Sequence, residues 1–203
     1  MTFFVLTYVI GLNNSKMIHE SEMTDREVVE RYKKDRQEGF RLLYCKYADK
    51  LLAVCRRYST DDEIAMDYLH EGMIKIYEKL ASFRVREEGS LFRWMSRVTI
   101  NSIIDSIRRD KHSHFKEVTI KEEYSGDEQE EASQVPLETI YDMIGKLTPS
   151  RRVVFNLSCI EGRSRKEIAK ELGITEAGVS STLWKARQEL SRMVMNYYKK
   201  LDL

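Results

Sequence analysis

The chain has 203 residues, and glycine plus proline make 11 of them, with no proline before Pro136. That is about 5%, against about 12% in average proteins, which excludes turn-rich sandwiches, barrels and collagen-like folds. Apolar residues make 42% and charged residues 33%, too apolar for a disordered chain, and the net charge of +1 names no partner. The class implied is all-α: two small helical domains joined by a flexible acidic linker, the C-terminal one a helix-turn-helix of winged-helix-like type.

Residues 3–12 form an apolar stretch that is half the length a bilayer span requires. It lacks the basic start and small-residue cleavage site of a secretory signal. Residues 1–23 therefore read as an N-terminal tail. A start placed upstream of Met17 or Met23 fits it, and a short membrane-attaching segment is the less favoured reading. Cys45, Cys55 and Cys159 form no metal-ligand spacing, and their odd number without a signal points to a reducing cytoplasm. Cys55 falls by an apolar stripe and reads as a core residue.

Thr24 with Glu27 opens the first helix as a capping box, and Thr60 with Glu63 opens a later one. Phe40, Leu43, Tyr44, Tyr47, Leu51, Val54, Cys55 and Tyr58 recur at one-face helical spacing. Ala65, Leu69, Met73, Ile76, Tyr77 and Leu80 repeat the pattern, and Phe92, Met95, Val98 and Ile103 give a third stripe. Four helices are expected between about 25 and 110. On one of them Asp67, His70, Glu71 and Ile74 share a side, an acidic surface that suits a basic partner protein, although plain solvated surface fits equally.

From Arg84 to Lys111 there are 7 basic and 4 acidic residues, interleaved with Phe92 and Trp94 and preceded by Phe83. Cations among aromatic faces suit single-stranded or distorted nucleic acid, where unstacked bases are captured. The competing reading of Phe92 and Trp94 is core packing.

Residues 111–136 carry 3 basic and 7 acidic residues around Ser125-Gly126, with weak apolar periodicity, and read as the linker. The linker exposes what the net charge conceals. Residues 1–110 have 19 basic and 18 acidic groups, whereas residues 137–203 have 12 and 8. A basic C-terminal domain behind an acidic tether is a candidate polyanion binder.

Within that domain Thr148-Pro149 marks a helix start with proline in the first turn. Residues 164–190 read SRKEIAKELGITEAGVSSTLWKARQEL. Ser164 and Glu167 box the first helix, which buries Ile168, Ala169 and Leu172. Gly173 supplies a left-handed turn, Ile174 plugs the corner, Thr175 caps the second helix, and Val179, Leu183 and Ala186 line its inner face. Small Ala169, then Gly173, then Val179 is the steric signature of the DNA-binding helix-turn-helix. Glu176, Ser180, Ser181, Thr182, Lys185 and Gln188 are expected on the exposed face, with Arg187 beside them. Arg165 and Lys166 stand where the first helix meets the DNA backbone. Trp184 fits a groove edge and a core flank equally.

In order and spacing these motifs resemble the sigma factors of the sigma-70 family, in the extracytoplasmic-function group. The likeness spans about Phe40 to Arg109 and Ile140 to Met195. Asp67-Tyr68-Leu69-His70-Glu71-Gly72-Met73 is similar to the region that grips the polymerase clamp helices. Phe92-Arg93-Trp94-Met95, with Arg97-Val98, Asn101 and Ile104-Asp105, is similar to the minus-10 reading region. Leu147-Thr148-Pro149-Ser150-Arg151-Arg152 with the helix-turn-helix is similar to the minus-35 reading domain.

The resemblance implies region 2 over 24–110 and region 4 over 137–203. It implies that Asp67, His70, Glu71 and Ile74 bind polymerase. Phe83, Arg84, Arg86 and Ser90, in a loop that captures a flipped base, join Arg97, Asn101, Arg108 and Arg109 at the minus-10 element. Arg165, Lys166, Thr175, Ser180, Ser181, Thr182, Lys185 and Arg187 face the minus-35 duplex. The implied partners are core RNA polymerase (clamp helices and flap), promoter DNA and a candidate anti-sigma factor, with no cofactor, metal or small-molecule substrate, and a monomer when free.

The chain departs from the family pattern in three places. His70 replaces the usual Gln, which makes a pH-sensitive contact conceivable. Ala177-Gly178 replaces Gly-Thr, and Ser180 and Thr182 stand at positions that are often basic. Asp105 either meets DNA or braces Arg108 one turn on. The alternative class is a stand-alone helix-turn-helix regulator, which calls for dimers and leaves the basic-aromatic segment without a purpose. Nucleotide-binding, hydrolase and zinc-protease motifs are absent, and His19, His70, His112 and His114 assemble no site, so no enzyme is expected.

Overall fold

The computed structural model describes residues 23–109 and 135–201, and every regular element among them is helical. The tail of residues 1–22 and the acidic linker, apart from Val135 and Pro136, lie outside the described residues. No strand occurs among the described residues, so none of them forms a wing on the helix-turn-helix.

Four long helices fill the first half: α1 (Asp25–Lys34), α2 (Arg36–Arg56), α3 (Asp62–Lys79) and α4 (Ser90–Arg109), with a short 3₁₀ turn at Leu80–Ser82. Each start has a local cause. Thr24 and Glu27 form the expected capping box on α1. The box expected from Thr60 and Glu63 does not form. Instead Asp61 Oδ1 accepts the N–H groups of Glu63 (2.9 Å) and Ile64 (3.2 Å), so α3 begins one residue later. A carboxylate next to the first turn outcompetes the threonine hydroxyl for those donors.

The second half contains α5 (Leu137–Lys146), α6 (Pro149–Phe155) with a π turn at Asn156–Ile160, α7 (Arg165–Leu172) and α8 (Glu176–Leu201). Thr148 is the N-cap of α6 with proline in the first turn, but its hydroxyl makes no cap hydrogen bond. Ser164 and Glu167 box α7, and Gly173 ends it at φ 68°, the left-handed conformation that glycine adopts without penalty. Thr175 Oγ1 accepts the Gly178 N–H at 3.0 Å to open α8.

By contacts the described chain forms two compact units. The first holds residues 23–55 and 65–102, and the second residues 56–64 and 103 onward. The α2–α3 turn thus groups with the second unit. There Asn156 Nδ2 donates to the Arg57 carbonyl (2.5 Å) and Arg57 pairs with Glu161 (3.1 Å). Burial raises the Tyr58 phenol well above its ordinary pKa.

The first unit's core includes Val28, Tyr32, Leu43, Leu51, Ile76 and Met95. Two glycines let its helices close. A Cβ on Gly39 would lie 2.2 Å from Tyr32 Cα, and one on Gly72 would lie 2.8 Å from Thr99 Oγ1. In the second unit Val154, Leu157, Ile168, Val179 and Ala186 are fully buried. There α8 packs against α5, α6 and α7.

Candidate polymerase and nucleic-acid interface

The four residues predicted on one side of α3 are indeed on one helix, and they differ in access. Asp67 is exposed, Ile74 is 52% exposed, and Glu71 and His70 are half-buried. Nε2 of His70 is buried and meets no hydrogen-bond partner among the described residues. That edge of the ring is covered, so the surface on offer is an acid at Asp67 and an apolar patch at Ile74.

The loop before α4 is built from both ends. Leu80–Ser82 closes α3, and Gly89 turns the chain at φ 81° so that Ser90 begins α4. Phe83 is half-buried with its ring 4.8 Å from Trp94, and Phe92 stacks on Tyr47 at 6.0 Å. Phe92 is therefore used within the first unit, while the Phe83–Trp94 pair is half-buried at the loop. Arg84 and Arg86 are exposed, and the Arg86 N–H reaches Ser90 Oγ at 3.4 Å.

Beyond the loop, Arg97, Asn101, Arg108 and Arg109 are exposed on α4, the first three on one face. Asp105, on the same face, bonds Arg108 at 3.2 Å, so it braces that cation. Arg93 extends the face one turn toward the loop and pairs with Glu87. It is not among the residues expected at the site, although Arg93, Arg97 and Asn101 stand at i, i+4 and i+8.

At the helix-turn-helix, Arg165 and Lys166 are exposed in the first turn of α7. Thr175 is exposed, yet its hydroxyl is engaged in capping. Ser180 Oγ bonds back to the Glu176 carbonyl at 3.0 Å. Thr182 and Lys185 are half-buried and Arg187 is exposed.

Ser181 is a correction. It was expected on the exposed face, but it is only 5% exposed and its hydroxyl finds no partner among the described residues. A helix packed by three neighbours buries more than the single stripe that periodicity reveals. Trp184 resolves the other way: it is 36% exposed and borders an open groove with Arg151, Lys185, Gln188, Glu189 and Arg192. Arg151 is held there by Glu189 at 2.5 Å. Arg151 and Arg192 were not among the predicted site residues. Lys185, Gln188 and Arg192 at i, i+3 and i+7 carried the available signal.

The α1 start adds a polar network that sequence spacing does not disclose. Asp25 is 0% exposed; its Oδ2 accepts the Leu91 N–H at 3.0 Å and its Oδ1 accepts the Tyr47 hydroxyl. Burial first, and then the bond to Asp25, raise the Tyr47 phenol far above its ordinary pKa.

The fold and these surfaces define an all-helical factor with a helix-turn-helix in one unit and a separate basic-aromatic surface on the 83–90 loop and α4. The sigma-70 region 2 model matches residues 43–113 and the sigma-70 region 4 model matches residues 137–190, together more than half the chain. The protein belongs to the sigma-70 family, in its extracytoplasmic-function group, and is an RNA polymerase sigma factor.

It is 26% identical over 185 residues to the ECF RNA polymerase sigma-E factor of Escherichia coli strain K12, covering 85% of this chain and 95% of that one. It is 27% identical over 180 residues to the RNA polymerase sigma-H factor of Pseudomonas aeruginosa PAO1, covering 83% and 92%. Among solved structures it is similar to CnrH in complex with the cytosolic domain of CnrY, at 19% identity and a TM-score of 0.43, covering 85% of this chain and 97% of that one.

Proposed function

We propose that the two units divide promoter recognition between them, with core polymerase as the common platform. The α3 face at Asp67 and Ile74, flanked by Glu71 and His70, docks on the polymerase clamp helices. The loop at Phe83, Arg84, Arg86 and Ser90 captures a minus-10 base of the melted strand. Arg97, Asn101, Arg108 and Arg109 on α4 hold or read that element. The α7–α8 unit reads the minus-35 duplex with Arg165, Lys166, Lys185 and Arg187 as its cations, and the polymerase flap is its second contact. Thr175, Ser180 and Thr182 line that face, and Ser181 supports it from within. The factor acts by binding rather than by catalysis, in the cytoplasm, as a monomer when free. An anti-sigma protein that covers these faces is part of the proposal. No described helix is long and apolar enough to cross a membrane.

The carrying observation is the exposed Arg97–Asn101–Arg108 face of α4. A stand-alone regulator has no use for it. Linking two modest DNA contacts through polymerase converts them into one strong one. The deciding experiment is transcription by core polymerase on genomic DNA, with and without this protein, mapping the new start sites. New starts sharing minus-10 and minus-35 elements are expected. Tight promoter binding by the purified chain without polymerase would overturn the division of labour.

A further inference from the structure

The first turn of α1 lies outside the matched region 2, which begins at residue 43. Yet it is tied to the loop before α4 by four side chains. Asp25 is completely buried although it is an acid. A buried carboxylate is tolerated only where donors satisfy it, and here both oxygens are used. Oδ2 takes the Leu91 N–H (3.0 Å), one of the first-turn donors that a helix cannot satisfy internally. Oδ1 takes the Tyr47 hydroxyl. Asp25 therefore acts as the cap of α4 from 66 positions away.

The tie is reciprocal. The Asp25 backbone N–H donates to both carboxylate oxygens of Glu88, each at 3.1 Å. Lys46 Nζ stands 3.8 Å from Glu88 and donates to the Met23 carbonyl. Glu88 and Leu91 flank Gly89, the residue whose positive φ sets the turn from loop into helix. Loop and α4 start are thus fixed on one side by α1 and on the other by the Phe83–Trp94 ring contact.

We infer that Asp25 is a positioning residue for minus-10 readout: by capping α4 at Leu91 and gripping Glu88 through its backbone, it holds the 83–90 loop in the geometry that presents Phe83, Arg84 and Arg86. This rests on the reading of that loop as the base-capturing element. Asp25 touches no nucleotide in this account. Its effect is that a base-binding loop loses discrimination when its geometry loosens, even though every contacting side chain is still present.

The test uses the full chain with core polymerase on a promoter found by start-site mapping, and on templates with each minus-10 and minus-35 base replaced singly. The readout is the ratio of transcription from the correct to the replaced base. Asp25→Ala and Glu88→Ala are expected to lower the ratio about tenfold at one minus-10 base. The minus-35 ratios and polymerase assembly should stay at wild-type values. Asp25→Asn keeps an acceptor for Leu91 and is expected to restore the ratio.

A purely structural role would lower thermal stability and leave the ratio of the folded protein unchanged. That result overturns the inference, as does Asp25→Asn losing as much as Asp25→Ala. If Asp25→Ala does not fold, Glu88→Ala decides, because its side chain is 61% exposed. Phe83→Ala and Arg86→Ala separate the two levels. If they lose discrimination while the folded Asp25 or Glu88 variants keep it, the positioning role fails alone. If they too keep wild-type ratios, the loop reading itself is wrong.

Discussion

The two surfaces proposed to meet DNA are held in place by opposite means. In the helix-turn-helix every defining polar contact is local. Ser164 and Glu167 are three residues apart, the Ile174 N–H returns to Ala169, and Thr175 caps Gly178. In the first unit the loop and its helices are fixed by contacts between residues far apart in sequence. Asp25 reaches Leu91, and Tyr32 Oη donates to the Tyr77 carbonyl at 2.5 Å across 45 positions. A locally coded motif keeps its geometry when a distant residue changes, whereas a surface braced at long range transmits that change to its reading face.

Gly39→Ala is the severest way to probe this difference. The new methyl would sit 2.2 Å from both Cα and N of Tyr32 and 2.6 Å from its Cβ. Backbone cannot step aside as a flexible side-chain end does, so α1 must separate from α2. The expected loss is about 3 kcal/mol, at the upper end of ordinary overpacking. Chemical denaturation of the full chain should show the first unit melting early and the second nearly unchanged. Loss of both together would mean that the two units share one cooperative transition. Gly173→Ala is the local counterpart. It places a Cβ at φ 68°, in the left-handed region, at about 1–2 kcal/mol. The damage should be confined to the second unit.

Next in size are the surface exchanges. Replacing Asp67 and Ile74 by Ala should reduce co-purification with core polymerase several-fold without changing the helical circular dichroism. Unchanged co-purification would remove the docking role from α3. Replacing Lys185 and Arg187 by Ala should lower promoter use relative to wild type most at low salt, with the difference shrinking as salt rises. Each lost phosphate contact should also flatten the logarithmic salt dependence of DNA binding by about one unit. A salt-independent loss would point to misfolding of α8 instead.

The same division explains what was legible in the sequence. The turn and inner face of the helix-turn-helix are readable because capping boxes, a left-handed glycine and an i, i+4 inner face are all short-range patterns. The α3 start was misplaced by one residue because Thr60 and Asp61 both carry capping oxygens, and spacing does not say which one the chain will aim inward. Ser181 was misassigned because periodicity reports one buried stripe, whereas α8 has three neighbours. The Asp25 cap was invisible for a stronger reason: nothing in residues 24–30 indicates that an acid in a first helical turn serves a different helix. Arg93, Arg151 and Arg192 were accessible to reasoning, and only tertiary placement distinguishes them from ordinary solvated cations.

The smallest expected effect compares the two units at a device that both use, the capping box. Glu27 and Glu167 each accept from the backbone and hydroxyl of the residue three before them. For Glu27 the backbone bond from Thr24 is the main cause of a pKa held below the ordinary 4.5, and for Glu167 it is the hydroxyl of Ser164. Because folding depresses both values, the unfolded chain takes up protons first as pH falls. The boxes' contribution is complete above about pH 4.5 and is lost as pH drops through the folded pKa of each group. Carboxyl-resolved NMR titration should therefore show both groups titrating below an exposed glutamate, with the α1 and α7 first-turn amides losing exchange protection in the same window. In α7 the consequence should stay within its first turn, since that helix start is local. In α1 the next residue is Asp25, so loosening the box should also move the Leu91 amide, 66 positions away. A Leu91 signal that stays fixed while the Glu27 box titrates would show that the long-range cap stands independently of the helix that presents it.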